Sequence, residues 1–194
     1  MSLTMKLFFF DTETTWLYPG VDHVIQFWGI AWILDEETFE FKETERINQL
    51  INTDTYISPM ATAVHWLRNE DLLEYDYIDS YLPKFLELIN NADYVVWHNI
   101  PFDANMIAWE CKNLWVEFHP EKIRWVDTMK PSTILVNWSW WRWPKLKDLH
   151  SFLFWYEFAD AHDAMADIEA TKNCFLKLCR EHQFYENWTF KRMI

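Results

Sequence analysis

Residues 5–11 form an almost wholly apolar run that ends on an aspartate, Asp11. A short apolar run without polar alternation is typical of a strand that is buried on both faces in the middle of a sheet. Residues 24–34 are a second β-rich stretch, and in residues 39–42 phenylalanines alternate with charged side chains. The pattern predicts an antiparallel meander that starts from a central strand.

The rest of the chain alternates helices with short apolar strands. Residues 79–90 carry apolar side chains at i, i+3, i+4 and i+7, which is the spacing of one helix face. Further expectations are strands at 94–97 and 123–127, helices that begin after residue 99 and at about 163, and a loop over 131–147. This order predicts one α/β domain with a mixed sheet over residues 1–182, followed by a C-terminal tail over residues 183–194.

Composition limits the location and the partners of the chain. Its content of 51% hydrophobic and 24% charged residues is typical of a globular protein, and no apolar stretch is long enough to cross a membrane. The three cysteines include no CxxC pair, which favours a cytoplasmic location. The formal net charge of −13 disfavours a surface that binds nucleic acid along its length, but it is compatible with a nuclease that meets one strand end through metal ions.

Two carboxylates lie at the carboxyl end of the predicted central strand. Asp11 and Glu13 lie at i and i+2, so on a strand their side chains point to the same side. Like charges held together are costly unless a cation neutralises them, and oxygen ligands favour magnesium or manganese. By itself, this pair is equally compatible with solvated side chains at a strand end or with a helix cap.

Two other segments offer matching groups. Asp103 is expected in the first turn of the helix after the 94–97 strand, and the start of the last helix carries His162, Asp163 and Asp167. Asp163 and Asp167 are one helical turn apart, so spacing does not choose between them. Together the segments supply the inventory for two-metal hydrolysis of a phosphodiester, with His162 as the general base.

Three motifs in the order DTETTWL, VVWHNIPFD and HDAMAD resemble those of the DEDDh 3′→5′ exonucleases, a branch of the ribonuclease-H-like superfamily. The chain is most similar to the epsilon proofreading subunit and the related exonuclease domain of bacterial DNA polymerase III. The resemblance runs from about residue 6 to residue 180. It implies a ribonuclease-H-like fold, with a mixed five-stranded sheet flanked by helices.

The resemblance also implies roles for individual residues. Asp11, Glu13 and Asp167 would hold one of two Mg²⁺ or Mn²⁺ ions, Asp11 would bridge to the second ion, and Asp103 would support that second ion. His162 would activate the attacking water, because the family's third motif has a histidine followed five residues later by an aspartate. The residues expected to bind the substrate are Thr14, Leu17, His65 and Asn99.

The expected function is metal-dependent 3′→5′ hydrolysis of DNA that releases nucleoside monophosphates, with proofreading beside a DNA polymerase subunit as its setting. One alternative is an RNA-trimming member of the same family. The other is a non-catalytic binding module associated with a polymerase. Retention of all five candidate catalytic residues argues against the binding module.

Tryptophan stands where the family pattern has glycine. The chain has 2 glycines and 14 tryptophans, whereas average glycine usage of about 7% predicts about 14 glycines. Trp16, Trp66, Trp97 and Trp155 fall at such glycine positions, and further cases are Trp28, Trp115 and Trp143. We hypothesise that many of these residues are encoded by UGA codons that the organism reads as glycine. The alternative is an aromatic surface that stacks bases. The hypothesis predicts that the chain as written folds poorly or has a blocked site.

Overall fold

The structure is a computed structural model that describes residues 4–35, 37–38, 40–136, 142–156, 158, 164–182, 184–185 and 189–190. Its strands are β1 Thr4–Thr14, β2 Val24–Asp35, β3 Phe41–Leu50, β4 Tyr94–Trp97, β5 Trp125–Asp127, β6 Phe184–Tyr185 and β7 Thr189–Phe190. Its helices are α1 Pro59–His65, α2 Ile78–Asn91, α3 Ile100–Asn113, α4 Met129–Val136, α5 Leu146–Phe154 and α6 Ala164–Glu181. Short 3₁₀ turns lie at Asn69–Leu72 and Pro120–Lys122.

The main sheet has five strands in the order β3-β2-β1-β4-β5. β1 pairs antiparallel with β2 and parallel with β4, and β4 pairs parallel with β5. The predicted meander with a central first strand is confirmed, as is the mixed five-stranded sheet with flanking helices. Since β1 and β4 run in the same direction, both chain segments that leave their carboxyl ends start at the same edge of the sheet.

Alternate side chains of β1 belong to two separate cores. Phe8 and Phe10 pack with α2 and α3, and the ring of Phe27 stacks on Phe85 with centroids 3.8 Å apart. Phe9 lies in the other core, which includes side chains of α5 and α6. These two apolar layers cover both faces of β1, which explains why its sequence lacks polar alternation.

The predicted loop over residues 131–147 is only partly correct. Part of the predicted loop is helical, because α4 extends through Val136 and α5 begins at Leu146. Pro131 lies in the first turn of α4, where a missing backbone N–H costs no hydrogen bond. Within the predicted C-terminal tail over residues 183–194, the two short strands β6 and β7 pair antiparallel.

Three tryptophans adopt the left-handed backbone conformation. The φ angles are 66° at Trp66, 56° at Trp115 and 65° at Trp155. Trp66 and Trp155 directly follow α1 and α5 as their C-terminal caps, a position that glycine usually occupies. All three side chains are exposed, by 79%, 95% and 90% in chain order. Packing therefore does not compensate for the backbone strain at these positions.

The two glycines occupy positions that require glycine. Gly20 has a φ of 107°, and a Cβ on Gly29 would lie only 2.6 Å from Cζ of Phe8. Trp16, another tryptophan at an expected glycine position, has no positive φ, and its side chain packs against a small apolar cluster that includes Ile57.

Among the described residues, no helix is both long and apolar enough to cross a membrane.

Candidate active site

Four carboxylates from three elements line one cleft at the carboxyl end of β1. Asp11 and Glu13 lie on β1, Asp103 lies in the first turn of α3, and Asp167 lies in the first turn of α6. The cleft has a volume of about 1040 Å³. Because β4 runs beside β1 and leads into α3, the sheet topology itself brings Asp103 next to the end of β1. The structure thus assembles the four carboxylates that were selected from the sequence.

Thr12 fixes the carboxylate of Asp103. The Thr12 hydroxyl donates to Asp103 Oδ1 at 2.7 Å, and its backbone N–H donates to the same oxygen at 3.2 Å. Asp103 is only 3% exposed, so these hydrogen bonds help to offset the cost of burying its charge. Thr12 points away from the side that carries Asp11 and Glu13, because side chains alternate along a strand.

Burial and mutual repulsion act on these acids. Burial raises the pKa of Asp11 well above its ordinary value, and the charges of Asp103, Glu13 and Asp167 raise it further, in that order. Burial also raises the pKa of Asp103, whereas hydrogen bonds from Thr12 and from the Trp97 side chain lower it. The three charges that act on Asp11 come from all three elements, so the cluster is electrostatically coupled.

This donor set fits a hard divalent cation. Its oxygens are carboxylate oxygens, which Mg²⁺ and Mn²⁺ prefer, and a cation would relieve the repulsion that raises the pKa of Asp11. In the part of the chain that the structure describes, no group of three or more His, Cys, Asp or Glu side chains is arranged to hold a metal ion. The carboxylates thus form an open cluster.

The predicted substrate-binding residues fall into two pairs. Leu17 and Asn99 line the cleft, and Leu17 is 53% exposed. Thr14 is buried, and its hydroxyl donates to the Trp16 carbonyl. His65 is half-buried, its Nδ1 accepts from the Leu67 N–H at 3.1 Å, and burial lowers its pKa. Neither Thr14 nor His65 is among the residues that line the cleft.

Two groups that were weighed for the third motif lie outside the described residues. They are His162, the expected general base, and Asp163, the alternative to Asp167. The role of His162 therefore stays a prediction from the sequence.

Sequence reasoning missed a buried link beside the carboxylates. His98 follows β4, and its Nε2 contacts the carbonyl oxygen of Pro144 at 2.9 Å, while its Nδ1 lies 3.0 Å from Oγ1 of Thr128. A carbonyl only accepts, so Nε2 carries the proton, and in the neutral ring Nδ1 is then an acceptor that faces the Thr128 hydroxyl. Burial lowers the pKa of His98, which favours this neutral form. A lone histidine gives no sequence signal for a partner 46 residues away.

The family assignment follows from this fold, these carboxylates and a direct comparison. The exonuclease family model (RNase_T) matches residues 8–175. The chain therefore belongs to the exonuclease family, and it is of the DEDDh type.

Individual relatives agree with this assignment. The 3′-5′ exonuclease DinG of Staphylococcus epidermidis is 27% identical over 120 residues, which cover 62% of this chain and 12% of the relative. The fold is similar to E. coli exonuclease I in complex with a dT13 oligonucleotide, with a TM-score of 0.74 and 18% identity over 92% of this chain and 42% of the other. It is also similar to the nuclease domain of 3′hExo, a DEDDh family member bound to rAMP, with a TM-score of 0.70, 13% identity and coverage of 100% and 99%. The chain thus spans about an eighth of the length of DinG and less than half of exonuclease I.

Replacing Thr12 with valine is expected to lower metal affinity by about 10–100-fold, the usual effect of losing a hydrogen-bond partner of a ligand. Valine removes the hydroxyl that lowers the pKa of Asp103, so that pKa rises and metal binding shifts to higher pH. Mg²⁺ titrations followed by thermal shift at pH 6.5 and 8.5 would measure this, with Thr12→Ser as the matched control that keeps the hydroxyl. Equal affinities of the valine and serine variants at both pH values would contradict the role of Thr12.

Proposed function

We propose that this protein is a metal-dependent 3′→5′ exonuclease that hydrolyses DNA from the 3′ end and releases nucleoside monophosphates. The observation that carries the proposal is the convergence of Asp11, Glu13, Asp103 and Asp167 in one cleft. A binding module has no need of four mutually repelling acids, because such a cluster reduces stability unless a cation is bound. Family membership supports the same reaction.

In the proposed reaction, water attacks the last phosphodiester, the bond from phosphorus to the 3′ oxygen breaks, and the shortened strand keeps a 3′ hydroxyl. His162 would accept the proton of the attacking water, for which its pKa near neutrality is suited. Asp11, Glu13 and Asp167 would hold one divalent ion, and Asp103 with Asp11 would hold a second. When bound, the ions polarise the scissile phosphate and offset the charge on the leaving oxygen. Leu17 and Asn99 would hold the terminal nucleotide.

DNA is the favoured substrate because exonuclease I, a structural neighbour, binds a DNA oligonucleotide. RNA is the alternative, since the neighbouring nuclease domain of 3′hExo binds rAMP. Proofreading beside a DNA polymerase subunit is the finer proposal, and its support is the resemblance of the three motifs. A cytoplasmic location is supported by the three free cysteines, two of which are buried.

The test is digestion of end-labelled oligonucleotides of matched sequence, as single-stranded DNA, 3′-recessed duplex and RNA, with Mg²⁺ or Mn²⁺. We expect stepwise shortening of DNA from the 3′ end, and its loss with EDTA and in the His162→Ala and Asp167→Asn variants. Faster shortening of RNA than of DNA would instead identify the protein as an RNA-trimming exonuclease. A folded protein that shortens neither would contradict the proposal and favour the binding module.

A further inference from the structure

Part of the cleft wall carries positive charge in an otherwise acidic protein. The chain has 17 lysines and arginines against 30 acidic residues, and two of these cations, Arg142 and Lys145, line the cleft. Both residues are exposed. Among the residues that the structure describes, the acids that line the cleft are the four candidate metal ligands. Two divalent ions would offset those four carboxylates, so the described lining of the cleft would then carry more positive than negative charge.

The peptide group that joins Pro144 to Lys145 is fixed by two hydrogen bonds. His98 donates to the Pro144 carbonyl, and the Lys145 N–H donates to Oδ2 of Asp148 at 3.0 Å. Pro144 itself is buried. The segment is thus held against the end of β4, the strand that leads into Asp103. This fixed peptide group holds the backbone of Lys145 at a constant position relative to the end of β4.

We propose that Arg142 and Lys145 bind the phosphates of the nucleic-acid strand upstream of the 3′-terminal nucleotide, and that His98 is a positioning residue for this wall. The inference rests on the proposed function, since it takes the carboxylate cluster as the site of hydrolysis. The occupant follows from charge complementarity: once ions neutralise the acids, the excess positive charge attracts a polyanion.

The cleft is also large enough for this occupant. Its volume of about 1040 Å³ lies at the upper end of the roughly 300–1,000 Å³ range of sites that hold one drug-sized molecule. The cleft therefore has room for the terminal nucleotide and for part of the strand behind it. The proposal does not use Trp143, which lies between the two cations and is one of the candidates for a recoded glycine.

The test compares substrates that differ only in their upstream phosphates. Thymidine dinucleotide has the scissile linkage and no linkage behind it, whereas dT12 has ten more. For the double variant Arg142→Gln/Lys145→Gln, KM for dT12 is expected to rise on the order of 10-fold relative to KM for the dinucleotide, and the salt slope of log KM for dT12 to fall by about 1.4, or 0.7 for each lost phosphate contact. Arg124→Gln is the matched control, because Arg124 is exposed and lies over the Tyr94 ring, away from the cleft.

The positioning role of His98 is tested in the same assay. His98→Leu removes the donor to Pro144 and is expected to raise KM for dT12 relative to the dinucleotide, as the double variant does. His98→Gln retains an N–H donor near the position of Nε2 and is expected to restore the wild-type ratio. Damage to the fold alone would impair both substrates together and leave the ratio of their KM values unchanged.

The results of these assays distinguish a failure of this inference from a failure of the proposed function. If the wild-type protein cleaves neither substrate, the proposed function fails. If it cleaves both, and the double variant retains the wild-type KM ratio and salt slope, the strand-binding wall is wrong while the exonuclease stands. If the double variant changes the ratio but both His98 variants behave as wild type, the positioning role is wrong.

Discussion

Replacing Trp66, Trp115 and Trp155 together with glycine is expected to stabilise the protein. A non-glycine residue in the left-handed conformation costs about 1–2 kcal/mol, and the greater freedom of glycine in the unfolded chain offsets about 0.4–1 kcal/mol of the gain. Little packing is lost, because each side chain is at least 79% exposed. The net gain of roughly 2–3 kcal/mol for three sites corresponds to a rise in melting temperature of about 5–10 °C in a domain of this size. Calorimetry of the triple variant measures it.

Trp28→Gly is the control for this experiment. Trp28 lies within β2 with a φ that is not positive, and its side chain packs against the core on the α6 side of the sheet. We expect this substitution to lower the melting temperature, since glycine weakens a strand interior and the packing is lost. Equal destabilisation by the triple variant and by Trp28→Gly would contradict the argument from backbone conformation.

The structure separates the tryptophans that were grouped by sequence. Backbone conformation supports a native glycine at Trp66, Trp115 and Trp155. It gives no such support at Trp16 or Trp97. Trp97 is 5% exposed, packs in the core and lines the same cleft as Asp103. Reading the codons is the direct test, and UGG at positions 66, 115 and 155 would refute recoding there.

Asp11→Asn is expected to abolish activity and yet stabilise the metal-free protein. The pKa of Asp11 is raised in the folded state, so its charged form is disfavoured there. The folded protein therefore loses stability as pH rises above the unfolded pKa of about 3.9. Asparagine removes this loss, and the melting temperature in EDTA at pH 7–8 should rise by about 2–4 °C for each kcal/mol recovered. Activity should fall by at least about 100-fold, because loss of a mere partner of a ligand costs up to that much.

Mg²⁺ should reverse the order of the melting temperatures of the wild-type protein and Asp11→Asn. A ligand that binds only the folded state stabilises it, so saturating Mg²⁺ should raise the melting temperature of the wild-type protein and have little effect on Asp11→Asn. The effect should be larger at pH 8 than at pH 6, since the ion competes with protons for the carboxylates. Asp76→Asn is the matched control, because Asp76 is exposed and outside the cleft. A variant that is less stable than wild type in EDTA would contradict the repulsion argument.

Local patterns in the sequence were sufficient for the centre of the fold and for the acids of the site. The apolar run of β1 predicted a strand buried on both faces, because burial on two sides removes the need for polar alternation. Ordered motifs selected Asp11, Glu13, Asp103 and Asp167, since each motif sits at the end of a strand or the start of a helix. Local patterns did not predict helices α4 and α5, because Pro131 and the tryptophan-rich stretch obscured their helical spacing.

Tertiary structure alone decided how the site is supported. The hydrogen bond from Thr12 to Asp103 joins residues 91 positions apart, and the bond from His98 to Pro144 joins residues 46 positions apart. The second of these bonds joins the end of β4 to the segment that carries Lys145. Such contacts form only after the sheet and helices have packed, so the local spacing of residues cannot predict them. The sequence by itself determined which groups perform the chemistry, whereas the packed fold decided which neighbours hold them and set their charge.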